Sequence, residues 1–183
     1  MKYILSAIIL TCFFSCTKKL DPGFKTFLDS FENISLPVKI KGCNVDYSNY
    51  KELNDSISLK IIQDKEYAIG KFSPNNNYVA TITLGMADCM LPVLTTYDFH
   101  GKQISKETIA IGYCGSGPCF QCEEYMEISK DLKLYTSDTI TTFDCDSNYN
   151  NIPGSKKIEI IYKEGKVDKN GKFKLTGEIK KNL

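Results

Sequence analysis

From Glu66 onward the chain is written in short strand-like runs divided by turn chemistry, and that cadence constrains the fold more than any other feature. The runs lie near "EYAIGKF", "YVATITLGM", "VLTTYDF", "KQISKETIAIGYC", "EEYMEIS", "LKLYTS", "TITTFDC", "KKIEIIYKEGKV" and "GKFKLTGEIK". They are rich in the β-branched and aromatic side chains that suit a pleated surface. Between them stand "SPNNN", "DFHGK", "CGSGPC", "SKDL" and "DKNG", whose Gly, Pro, Asn and Asp residues supply turn conformations. Strands this short, joined this tightly, pair with their sequence neighbours. The expected class is therefore mainly β, an antiparallel β-meander forming an open twisted sheet or a partial barrel. "VLTTYDFHGKQI" has the strand, Asp-x-x-Gly turn, strand form of a propeller blade, but too few such units occur to close a propeller.

One N-terminal amphipathic helix is expected ahead of the strands. Asp21 is placed to cap it, with Pro22 at its first position. Phe24, Phe27, Leu28, Phe31 and Ile34 then recur at helical spacing over about three turns. Such a stripe reads as core packing rather than a binding face, and the helix would cover one face or end of the sheet. "ISLPVKIKG" reads as an edge strand interrupted by Pro37. The stretch after it is ambiguous: "YSNYKELND" suits a short helix and "SISLKII" a strand.

The N-terminus supplies an address. Lys2 precedes an apolar run from Tyr3 to Phe14, of secretory length and too short for a membrane span of about 20 residues. It ends at Ser15-Cys16, followed by Thr17-Lys18-Lys19. A small residue before a cysteine at this point resembles the lipobox of bacterial lipoproteins, here in the relaxed form seen in Bacteroidota. The Lys- and Asn-rich composition agrees with that group, as do "FKTFLDSFENISLPVKI", "YAIGKFSPNNNYVATITL" and "LTTYDFHGKQI", which look like recurring phrases of its uncharacterised lipoproteins. The resemblance implies removal of residues 1–15, acylation of Cys16, a tether over 16–20 and a single β-rich domain over 21–183. It implies no activity. Cys12 is the rival acceptor, but it would leave an apolar run of only Ile4 to Leu10. Two acyl chains suffice for stable membrane anchoring. No acidic cluster follows Cys16, which points to the periplasmic face of the outer membrane rather than the cell surface.

That address decides how the other cysteines read. Cys43, Cys89, Cys114, Cys119, Cys122 and Cys145 are even in number, and an oxidising compartment favours disulfides. If "KQISKETIAIGYC" and "CEEYMEIS" are paired strands, Cys114 and Cys122 flank a hairpin loop at a separation a disulfide accepts. Cys119 would then join Cys89 or Cys145, with a Cys119–Cys122 bridge as the local alternative. The competing chemistry is a periplasmic redox or zinc protein using the Cys114/Cys119/Cys122 cluster. Zinc would draw on Cys145 as well, but a second Cys-x2-Cys half is lacking. A reactive "CFQC" dithiol would need a depressed thiol pKa, which Glu123 and Glu124 oppose.

Little else carries chemistry. Formal charge is +1, all 23 basic residues are Lys, and the absence of Arg argues against phosphate clamps and nucleic acid. There is no Trp, which weakens the case for a sugar-stacking platform, although eleven Tyr leave it open. His100 is the sole histidine and sits in an apparent turn. Asp144, Asp146 and Asn148 alternate as in calcium loops, but Tyr149 and Ser155 stand where the loop needs Gly and a bidentate Glu. From Lys156 onward nine Lys meet four acids, which reads as a solvated sheet face. Ser56 in "DSI" and Thr139 in "DTI" resemble the Asp-Ser/Thr-apolar O-glycosylation sites of Bacteroidota. The expected protein is a lipid-anchored, disulfide-stabilised extracytoplasmic β-domain that binds or scaffolds. It would need no cofactor and have the membrane and an envelope ligand or protein as partners, with binding favoured over enzymatic activity.

Overall fold

The computed structural model describes residues 20–42, 48–85, 90–115 and 117–183. The leader, Cys16, Cys43 and Cys89 lie outside them. Two helices and ten strands follow in the order α1 (Pro22–Leu28), β1 (Val38–Lys41), β2 (Lys51–Leu53), α2 (Ser56–Ile62), β3 (Glu66–Phe72), β4 (Val79–Gly85), β5 (Leu91–Tyr97), β6 (Gln103–Thr108), β7 (Phe120–Ile128), β8 (Lys133–Thr142), β9 (Lys157–Lys166) and β10 (Ile179–Asn182). The strands form two five-stranded antiparallel sheets, neither closed into a barrel. The front sheet runs β2-β3-β4-β5-β6 and the back sheet β1-β7-β8-β9-β10. The meander is thus real but divided: the expected single open sheet or partial barrel is replaced by a sandwich.

Burial explains the division. Four of the first six residues of β4 are apolar, Thr81 and Thr83 being the exceptions, and every one of the six is buried. One face of this central strand sends Ala80 and Ile82 into a core shared with Leu94, Met126, Ile128 and Leu134 of the facing sheets. The other face sends Val79, with Ala68 and Tyr97, against Phe24, Phe27, Leu28 and Phe31. The molecule therefore has three layers, helices over front sheet over back sheet. The aromatic stripe packs inward, with Phe24 and Phe27 ring centroids 5.3 and 5.9 Å from that of Tyr97.

Local chemistry sets several elements. The Asp21 side chain accepts from the Phe24 N–H at 3.0 Å, capping α1, with Pro22 opening the helix. Between β1 and β3 the two ambiguous segments are reversed: Lys51–Leu53 is a strand paired with Glu66–Ala68, and "SISLKII" is helix α2. Asp55 decides the latter, because its carboxylate accepts from the backbone N–H groups of Ile57 and Ser58 and from the Ser58 hydroxyl. This cap outweighs the modest strand preference of the Ile residues. "LKLYTS" and "TITTFDC" are one ten-residue strand, β8, whose central Ser137 and Asp138 are both buried. β1, just after Pro37, is an edge strand.

Two connections stitch the sheets together. Residues 109–115 leave β6 and cross to the back sheet, carrying buried Ile109 and Ala110. After β9, Val167 and Leu175 enter the shared core, while the Phe173 N–H donates to Ser105 Oγ and the Leu175 N–H to Glu107 Oε2. Between them Asp168–Gly171 repeats the turn at Asp98–Gly101. In each, the Gly N–H donates to the Asp carbonyl at 3.1 Å and the Asp Oδ1 takes two further backbone N–H groups.

Candidate functional site

The chemistry-bearing residues gather where the 109–115 crossing meets β7 and β8. Cys114 is disulfide-bonded to Cys122, with Cα atoms 5.1 Å apart, and Cys119 to Cys145, with Cα atoms 6.1 Å apart. Both Cα separations lie within the range natural disulfides occupy. The Cys114–Cys122 pairing is the expected one, but its basis is different. β7 pairs with β1 and β8, and β6 ends at Thr108, so Cys114 rides on an irregular segment rather than a neighbouring strand. The two cysteines of "CFQC" take different partners, so no dithiol exists there in the oxidised chain. Cys114 Sγ, Cys122 Sγ and a carboxylate oxygen of Asp138 lie within 4.8 Å of one another. With the sulfurs bonded together, that group offers a metal one carboxylate and no thiolate.

Beneath this bridge lies a pair of buried acids. Glu124 on β7 and Asp138 on β8 are cross-strand partners on the core side, 6% and 0% exposed. The crossing segment serves both with backbone donors. The Gly112 N–H donates to Glu124 Oε1 at 3.3 Å and the Tyr113 N–H to Asp138 Oδ2 at 2.8 Å. Asp138 Oδ1 is buried without a hydrogen bond among the described residues. Burial, then the charge of Asp138, pushes the Glu124 pKa up; burial pushes that of Asp138 up against the pull of its backbone donors. At the rim Lys163 pairs with Glu178, which also accepts from the Tyr113 hydroxyl. Nothing in the sequence marks Glu124 or Asp138 among 22 acids, because only the register brings them together.

Clefts also open elsewhere among the described residues. At one end of the front sheet, a cleft of about 690 Å³ is lined by Glu66, Lys106, Val93 and Thr108. Glu66, almost fully buried, accepts from Lys106 Nζ at 2.8 Å and from the Thr83 hydroxyl. On the solvent side of the back sheet, a slot of about 700 Å³ runs along Tyr125, Tyr135, Ser137 and Thr139.

The remaining sequence candidates separate. His100 is exposed in the Asp98–Gly101 turn. Asp146 spends its carboxylate on the backbone N–H groups of Asn148 and Asn150 and the Asn150 amide, an internally satisfied loop; those bonds hold its pKa below the usual range. Ser56 is exposed at the start of α2, whereas Thr139 is half-buried in the central strand β8.

No family model, no curated protein and no solved structure matches this chain.

Proposed function

We propose that this chain is an extracytoplasmic lipoprotein, of the Bacteroidota kind its N-terminus resembles, whose β-domain acts by binding or scaffolding. Acyl chains on Cys16 hold it to the outer membrane, facing the periplasm. The observation that carries the reading is the pair of disulfides clamping one end of the back sheet, since such bridges persist in oxidising compartments. The buried acids favour binding over catalysis. Glu124 and Asp138 are occupied by backbone donors of their own chain, and Glu66 by Lys106 and Thr83. These carboxyl groups are held within the fold by their own chain. Among the described residues no helix is long and apolar enough to cross a membrane. Ser56 is the accessible position for O-glycosylation.

The test is metabolic labelling with palmitate of the wild type and of Cys16→Ala, with intact mass before and after reduction. A label lost in the variant, and a gain of at least four hydrogens for the two bridges, is the expected result. An unlabelled wild type would overturn the anchor. A gain of fewer than four hydrogens on reduction would overturn the clamp and return the Cys114/Cys119/Cys122 cluster to redox or zinc chemistry.

A further inference from the structure

We infer that the slot on the solvent side of the back sheet is a saccharide-binding site walled by Tyr125 and Tyr135. The inference rests on the binding-domain reading above and gives it a ligand class.

The register builds the slot. Core-facing positions on β7 are Met126 and Ile128, so Glu123, Tyr125 and Glu127 point the other way. Tyr125 is the cross-strand partner of Ser137, and Ser137 that of Tyr162. A small side chain on the central strand is thereby flanked by two rings in one row, with Thr139 in the next. Tyr135, on the same face two residues along β8, closes the row diagonally. Its ring stacks on Tyr162 at 5.9 Å and 29°, and stands 6.3 Å from Tyr125 at 54°. Tyr125 is itself held by donating its hydroxyl to Glu127, which also pairs with Lys39. The walls are braced before any ligand arrives, which lowers the ordering cost of binding.

The lining selects the ligand. Lys41 and Glu123, both exposed, stand at the rim, with half-buried Thr139 and, nearly covered by the flanking rings, Ser137 below. An apolar ligand would strip water from both charges without replacing it. A polyanion would meet Glu123 and Glu127. A pyranose ring satisfies the whole set: its C–H face lies on a tyrosine ring while its hydroxyls reach the carboxylate, ammonium and side-chain hydroxyls. The size of the slot falls within the range of small-ligand sites.

The test is saturation-transfer NMR on the full acylated chain in detergent, with chitotriose, maltotriose and cellotriose as probes and an uncharged extended pentapeptide as comparison. At least one trisaccharide should bind saturably. Tyr135→Ala should weaken it at least tenfold, and Glu123→Gln, at an exposed position that leaves the fold intact, by three- to tenfold. No binding by any of the three sugars, or binding of the peptide alone, would overturn the inference. Sugar binding untouched by both variants would move the site elsewhere and leave the binding-domain reading standing. Cleavage of a bound sugar would sink that reading while keeping the slot.

Discussion

Glu124 and Asp138 face each other across β7 and β8 on the buried side of the back sheet, and the same crossing segment caps both carboxylates. Their ordinary values are 4.5 and 3.8, and both are raised in the fold, chiefly by burial. The folded chain then binds more protons than the unfolded chain as pH rises past those ordinary values. The contribution of these groups is fullest below that point and is lost as pH climbs through their folded values. Urea midpoints measured between pH 4 and 8 should show Asp138→Asn and Glu124→Gln gaining stability relative to wild type as pH rises. Parallel profiles for wild type and variants would show that the pair does not titrate as described.

The two disulfides close loops of different length, with sequence separations of 8 for Cys114–Cys122 and 26 for Cys119–Cys145. On the chain-entropy account, removing them costs about 2.5 and about 3.5 kcal/mol respectively. Paired Cys→Ser variants, compared by chemical denaturation, should follow that order.

Lys106 is the cation against buried Glu66. Lys106→Met strands a carboxylate in the helix-covered layer and should cost about 3 kcal/mol. Adding Glu66→Gln should recover most of the loss, since the double variant leaves no buried unpaired charge. A double-mutant cycle on thermal unfolding checks both halves.

Gly171 and Gly154 share a left-handed backbone, with φ of +84° and +81°. A Cβ at Gly171 would lie 2.9 Å from the Tyr78 ring, whereas one at Gly154 meets nothing within 4 Å. Gly154→Ala should therefore cost only the left-handed penalty of about 1 kcal/mol, and Gly171→Ala about 2 kcal/mol or more. The difference between the two, read from urea midpoints, isolates the clash.

Turns and pairings between sequence neighbours were legible, because their signals are local. The Asp98 and Asp168 turns follow from Asp-x-x-Gly, and β3 to β6 pair in the order in which they are written. The division into two sheets was not. An alternating run says that a strand has two faces, not which sheet it joins. The one clue was β4, whose buried Thr81 and Thr83 among apolar neighbours mark a strand covered on both sides. The sequence reading ended one run at "LKLYTS" and began another at "TITTFDC", leaving Asp138 between them; a carboxylate in mid-strand is costly without donors, and its donor Tyr113 N–H comes from 25 residues away. The Tyr125, Tyr135 and Tyr162 face was invisible for the same reason, since only the β7-β8-β9 register assembles it.

The place of β1 has a consequence for the order of assembly. The front sheet is built from one uninterrupted stretch, 51–108, so a chain delivered N-terminus first can complete it from nearby partners. β1 is made before any of that, yet its partner Tyr125–Ile128 arrives only after the whole front sheet has passed. Val38 and Ile40 must wait exposed until β7 reaches them, so the edge of the back sheet is finished with the strand that was the first to be written.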